Sequence, residues 1–405
     1  MNAVGVIVEY NPFHNGHAFH IEEARKAANA DIVIAVMSGN FLQRGEPALV
    51  SKWKRTEMAL KAGVDIVFEL PYVFATQQAN TFASGAVSIL EAAGCRFLCF
   101  GSESGQIDSF YETLSFLKNN DSRYQQQVKL HLEKGNSYPK ASSLAFHDLH
   151  PDKNMIDLSK PNNILGYQYI KAAKEQNASI EALTVTRKNA DYHDPHFASE
   201  SIASATSIRK ALFSLNGQLE SVQQYVPEST YEGLIEYKEQ YGLFHDWELY
   251  WPLLKFRLVQ TAPEQLKSIY EVEEGLENRI LSASLESESF QQFMERLKTK
   301  RYTWTRLQRA CLHILTNTLK EEMSMEEEKA SYLRLLGMTT SGREYLNKYK
   351  ADLALPMVSR ISSTKDQQLL LDIKASRVYA MGASGFAQKK LLEKEFKQPP
   401  IIIAK

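Results

Sequence analysis

A chain of 405 residues with 44% hydrophobic content holds enough apolar material for two packed domains of ordinary size. Its 47 Lys and Arg stand against 48 Asp and Glu, so no overall excess of charge announces a nucleic acid or a membrane surface, and any basic site must be local. Cys95, Cys99 and Cys311 are too few and too unevenly placed for a disulfide framework or a four-ligand zinc site, there is no basic leader with a cleavable apolar run, and no segment reaches bilayer-spanning length. The expectation is a cytoplasmic protein with no membrane anchor.

In chain order, short runs rich in Val, Ile and Phe predict strands over 4–8, 31–37, 65–70, 95–100 and 180–185. Helical patterns lie between them over 17–28, 51–62, 79–93 and 162–176. Strands that alternate with helices, and that are continuously apolar, predict a doubly wound α/β fold with a parallel sheet covered on both faces, over the first 210 or so residues. Beyond Arg209 the pattern changes to long amphipathic helices over 212–225, 264–285 and 289–319, with one more strand-like run at 401–404. The domain boundary is placed near 212: a catalytic domain over 1–212 and a mainly α-helical C-terminal domain over 213–405.

The strongest chemical signal follows the first strand, where an open α/β sheet carries its ligand: Glu9-Tyr10-Asn11-Pro12-Phe13-His14-Asn15-Gly16-His17, with the spacing His-x-Gly-His. Asn11 and Pro12 turn the chain out of the strand, Gly16 admits close approach of backbone to a ligand, and the following helix offers unpaired N–H groups to an anion. Two imidazoles at that helix start can donate to phosphoryl oxygens as charge builds in a transition state. His14, His17 and His20 also resemble a metal cluster by residue type. That reading is rejected because neither a fourth ligand nor a Cys pair lies at a zinc spacing, and no metal ligand is assigned.

His14-Asn15-Gly16-His17 after an N-terminal strand resembles the signature of the nucleotidylyl transferases and class I aminoacyl-tRNA synthetases, whose catalytic domain is Rossmann-like. Ile202 to Arg209 is similar to the Ile-Ser-x-Thr-x-x-Arg element of the nucleotidylyl transferases, which implies that Ser204, Thr206 and Arg209 meet the outer phosphates of ATP. The chain has no Lys-Met-Ser-Lys-Ser element, which points away from amino-acid charging. Gly101-Ser102-Glu103, the segment from Pro161 to Tyr167, and Arg187-Lys188-Asn189 match a narrower group, and the whole chain resembles the bacterial tRNA(Met) cytidine acetate ligase family.

The resemblance implies an enzyme that activates acetate with ATP as acetyl-adenylate and passes the acetyl group to N4 of the wobble cytidine in elongator tRNA(Met). ATP contacts are implied along Ile7, Val8, Glu9, Tyr10, Asn11, Pro12, Phe13, His14, Asn15, Gly16, His17 and His20. Further contacts are implied at Gly101, Ser102, Glu103, Asn162, Arg187 and Lys188. Catalysis is expected from His14, His17 and Arg209, with Mg2+ accompanying ATP, and Lys52 is a candidate for the departing pyrophosphate. For tRNA, the uninterrupted basic run over 296–309 offers Lys298, Lys300, Arg301, Arg306 and Arg309 to phosphates and Trp304 to an unpaired base. In that run Leu307, Cys311, Ile314 and Leu315 form the buried stripe, and Arg306, Arg309 and His313 are expected on another face. The competing reading is an adenylyltransferase that moves AMP to a small phosphorylated acceptor; a non-catalytic RNA-binding scaffold is a third. No protein partner is inferred.

Overall fold

The computed structural model describes residues 1–152, 154–187, 203–214, 217–273, 275–325, 328–361 and 364–404. β1 (Ala3–Val8), β2 (Ile32–Ser38), β3 (Ile66–Leu70), β4 (Phe97–Ser102) and β5 (Glu181–Thr186) form at the expected runs and lie parallel in the order β5-β4-β1-β2-β3. The reason for their continuous hydrophobicity is visible in β2. Ile32, Ile34 and Val36 enter one core and Val33, Ala35 and Met37 the other, so alternate side chains are buried on opposite faces. Helices Asn15–Ala27, Lys52–Lys61, Ala79–Ala92 and Pro161–Glu175 stand where helical patterns were expected. Gly85 in the third of these lets Phe74 pack against the helix backbone, since a Cβ there would sit 2.2 Å from the Phe74 ring.

The sheet does not stop at β5. β6 (Leu333–Thr339) runs antiparallel to β3, and both β7 (Met357–Val358) and the expected β8 (Ile401–Ile403) pair in parallel with β6. The boundary expected near 212 therefore separates the five parallel strands from the helices that follow, while β6 to β8 cross back to the same sheet. β6 escapes the sequence reading because Arg334 interrupts its apolar run, and this arginine is fully buried.

The long helices expected in the second half are broken. The 212–225 pattern becomes the end of helix Ala205–Leu212 and a 3-10 turn, Leu219–Tyr225. The 264–285 pattern splits into Pro263–Lys267 and Leu276–Leu285, with Glu271 and Gly275 in the left-handed region between them. The basic run becomes Phe290–Leu297, an extended turn, and Trp304–Leu315 capped by the Thr303 hydroxyl. No helix among the described residues is long and apolar enough to cross a membrane.

A buried ionic cluster ties the returning segment to the first half. Lys52 Nζ lies 2.7 Å from Glu69 on β3 and 2.9 Å from Glu395 on helix Gly385–Lys397, and Arg334 on β6 lies 3.9 Å from Glu395. This corrects the expectation that Lys52 clamps phosphate: it is fully buried, and its ammonium is consumed by two carboxylates. Lys52→Ala strands both carboxylates in the interior, so urea denaturation should show about 3–5 kcal/mol of lost stability. A loss below about 1 kcal/mol would mean that the cluster is not under charge constraint.

Candidate active site

The strands on either side of β1 are reached by connections running in opposite directions, to β2 on one side and β4 on the other, which opens a crevice at their C-terminal ends. The chain leaves β1 through Tyr10, held in the left-handed region at φ 51°, and a cis Asn11–Pro12 bond. Helix Asn15–Ala27 then begins with His14 as its extended N-cap. Tyr10 and Phe13 are buried and form a floor against which the His17 ring packs, at centroid distances of 4.9 and 5.6 Å. Ile7 and Val8 belong to the strand body, and Glu9 turns away to accept the Gln43 N–H at 2.7 Å.

His14 and His17 are stacked, with ring centroids 3.6 Å apart. His17 Nδ1 accepts the His14 backbone N–H at 3.2 Å, which leaves the proton of the neutral ring on Nε2. His14 Nδ1 and His20 Nε2 are buried with no hydrogen-bond partner among the described residues. Burial, with the nearby Arg187 and Arg209 guanidinium groups adding to it, pushes the His14 imidazole down to about 3; burial and Arg187 push His20 down to about 4. His17 is lowered too, by burial first and then by His14 and the Arg187 charge. All three rings are therefore neutral at pH 7, and the positive charge of the site belongs to the arginines.

From β4, Gly101 lets the other half of the site close up: a Cβ there would lie 3.2 Å from Arg187 Cγ and 3.9 Å from His20 Cδ2. Arg187, at the end of β5, donates to Asn162 Oδ1 at 3.3 Å, and Asn162 in turn donates to Glu103 at 2.7 Å. Glu103 also accepts the Asn163 N–H at 3.0 Å at the start of helix Pro161–Glu175, where a carboxylate is favoured. Ser102 instead spends its hydroxyl on Thr184 and on the Gly105 N–H, so it shapes the turn. Across the crevice, Ser204 caps helix Ala205–Leu212 by accepting the Ser207 N–H, and Thr206 is exposed. Arg209 donates to the Asn11 carbonyl at 2.8 Å and to Glu46 at 3.0 Å. Asn15 binds the Gln224 carbonyl at 2.9 Å. Lys188 lies outside the described residues.

The fold thus gathers His14, His17, His20, Gly101, Asn162, Arg187 and Arg209 from five separate stretches of chain. Sequence reasoning missed Glu46, the carboxylate on Arg209, and preferred Lys52 to Arg55 within one basic stretch. Arg55 is fully buried and donates to the carbonyls of Glu9, Ser38, Gly39 and Val50. Neither residue belongs to a spacing pattern that names its role.

The basic run is only partly a surface. Lys298, Lys300 and Arg301 are exposed, and Trp304 and Arg306 are half-buried, with Arg306 stacked 4.8 Å over Tyr302 and 3.6 Å from Glu273. The stripe of Leu307, Cys311, Ile314 and Leu315 is buried as expected, but Arg309 and His313 are buried as well. Arg309 pairs with Glu271 at 2.7 Å and His313 with the Tyr72 hydroxyl at 3.0 Å, because the helix is covered on more than one side. Both therefore leave the solvent-facing set.

The depressed histidines make a pH prediction. His14 has a folded value of about 3 against an unfolded value of ~6.5, so the unfolded chain binds the extra proton and stability is lost progressively as pH falls from 6.5 toward 3. Between pH 6.5 and 4.5 the His14→Gln variant should lose stability less steeply than the parent, by roughly 1 kcal/mol per pH unit, in urea titrations. Parallel curves would place His14 in water.

A family model described as HIGH Nucleotidyl Transferase matches residues 1–394. The tRNA(Met) cytidine acetate ligase of Lysinibacillus sphaericus is 48% identical over 99% of this chain and 100% of its own length, and that of Halalkalibacterium halodurans is 49% identical over 100% and 98%. The crystal structure of Thermotoga maritima TmcAL superposes with a TM-score of 0.91 at 34% identity and covers 100% of both chains. A second structure of that protein, bound with alpha-thio ATP, gives 0.90 at 34% identity over the same full coverage. The chain belongs to the HIGH nucleotidyl transferase family, alongside the tRNA(Met) cytidine acetate ligases.

Proposed function

We propose that the protein is an ATP-dependent tRNA(Met) cytidine acetate ligase that works through acetyl-adenylate. The observation that carries this reading is the stacked His14–His17 pair between Arg187 and Arg209 at the β1–β4 crevice. An acetate oxygen attacks the α-phosphorus of ATP and pyrophosphate departs. The neutral imidazoles serve as N–H donors to the phosphoryl oxygens, and the arginines answer the negative charge with forked, permanently protonated donors. Arg209, at the helix Ala205–Leu212 side, takes the pyrophosphate end; Arg187, with Asn162 and Glu103 fixing its direction, takes the nucleotide end.

Among the described residues no group of three or more His, Cys, Asp or Glu side chains is arranged to hold a metal ion. Magnesium would come with the triphosphate and would neutralise phosphate charge there. In the second half-reaction the N4 amine of the wobble cytidine of elongator tRNA(Met) attacks the carbonyl of the mixed anhydride. An amide forms, the acyl C–O bond breaks and AMP leaves; positioning matters more than a strong base. The part of the chain from 213 onward receives the RNA, with Lys298, Lys300, Arg301 and Arg306 meeting phosphates and Trp304 a base.

Labelled acetate should enter bulk bacterial tRNA only with ATP and active enzyme, and nucleoside analysis should find it in acetylcytidine. His17→Ala removes a donor made strongest in the transition state and should cut incorporation by about 10²–10³-fold in protein that still folds, a loss larger than its lost ring packing explains. Near-normal incorporation by that variant would remove His17 from the chemistry; pyrophosphate release into a small acceptor, with no label in tRNA, would favour an adenylyltransferase.

A further inference from the structure

The 41–49 segment touches both the RNA-facing tract and the adenylation site, and the reaction above gives it no role. It is a tight turn, closed by Gly45 N–H on the Leu42 carbonyl at 2.8 Å, Leu42 N–H on the Glu46 carbonyl at 2.9 Å, and a bridge between Phe41 and Pro47. On one side it lies against helix Trp304–Leu315, backbone on backbone. Gly45 has φ 76°, and a Cβ there would sit 2.6 Å from the Arg309 amide nitrogen. The half-buried Trp304 donates its indole N–H to Gln308 Oε1 at 3.0 Å, and Gln308 donates its amide to the Arg44 carbonyl at 3.0 Å. Trp247 adds a third tie, to the Gly45 carbonyl at 3.0 Å. On the other side the same turn presents Glu46 to Arg209 at 3.0 Å and gives the Gln43 N–H to Glu9 at 2.7 Å.

We propose that Glu46 restrains Arg209, and that the 41–49 turn links RNA docking at Trp304 to adenylate formation by moving that restraint. The inference rests on the adenylate-forming reading above. Arg209 has one guanidinium, and in the free protein part of it is committed to Glu46 and part to the Asn11 carbonyl. A departing pyrophosphate competes with Glu46 for the same N–H groups, so weakening the Glu46 contact strengthens capture of the leaving group. Trp304 is half-buried, so offering its face to a base requires the indole to turn, and turning it breaks the in-plane N–H bond to Gln308, which gives RNA a different contact energy in the two arrangements, as any coupling requires. Because the turn and the helix meet at main-chain atoms, a shift of the helix passes to the turn and is not absorbed by a flexible side chain. Glu46 is thus a positioning residue, and Gln308 relays the RNA's presence.

The experiment is acetate-dependent ATP–pyrophosphate exchange with and without saturating tRNA, on the full chain. The parent enzyme should exchange about fivefold or more faster with tRNA, the low end of ordinary coupling. Gln308→Ala should keep the tRNA-free rate and lose the stimulation, while Glu46→Gln should run near the stimulated rate without tRNA and with little change in KM for ATP. A purely structural role for either residue would lower both rates instead. If Gln308→Ala melts early, Gln308→Glu serves, since it keeps an acceptor for Trp304 but has no N–H for Arg44. Equal exchange with and without tRNA in the parent, or a retained response in the Gln308 variant, overturns the coupling alone. Absence of any acetate-dependent exchange in the parent overturns the adenylate reading and the coupling with it.

Discussion

Arg55 is a fully buried cation whose guanidinium is committed to main-chain carbonyls at the ends of two adjacent strands and in the loop before its own helix. Strand ends in a parallel sheet leave carbonyls that no neighbour satisfies, and inside the protein each one demands a donor. One planar fork answers several of them at once, and in doing so fixes Glu9 and the exit from β1 against Ser38 and Gly39 at the exit from β2. The turn through Tyr10, Asn11 and Pro12, and hence the place where His14 and His17 stack, depends on that tether. Burial pushes Arg55 down to about 10, far enough above neutrality that the tether stays charged.

With the strand ends pinned, the site divides its labour by charge. Three histidines enclosed beside arginines cannot hold protons at pH 7, so in the proposed reaction their part is that of dipoles toward a phosphate, with Arg187 and Arg209 as the fixed charge. Arg187 is held by Asn162 and Arg209 by the Asn11 carbonyl, so each side chain is already directed, while the Glu46 contact on Arg209 is the one a departing anion has to displace. Lys52, Glu69, Glu395 and Arg334 do a different job with the same side-chain chemistry. Buried against one another, they join the N-terminal sheet to the strand that returns from the far end of the chain.

The parallel half of the fold was legible because its strands are buried on both faces, and continuous Val and Ile runs such as 32–37 have one plain explanation. The histidine motif was legible because its spacing sits at a strand exit, where a helix N-terminus faces a ligand. What stayed hidden was every feature set by contact between distant segments. Lys52 and Arg309 look like free cations on paper, and only folding brings Glu69, Glu395 and Glu271 to them. β6 looks unlike a strand because a charge interrupts it, and that charge is answered by Glu395, 61 positions further along the chain. Glu46 carries no motif at all; its meaning comes from standing between Arg209 and the helix that begins at Trp304.

The central claim is that acetate attacks the α-phosphorus, and oxygen isotopes test it directly. With acetate carrying ¹⁸O in both oxygens, the bridging oxygen of acetyl-adenylate must leave with AMP when the cytidine amine takes the acetyl group. AMP formed in step with acetylcytidine should therefore contain one ¹⁸O in its phosphate. Unlabelled AMP, or label in a product released with ADP, would contradict the account.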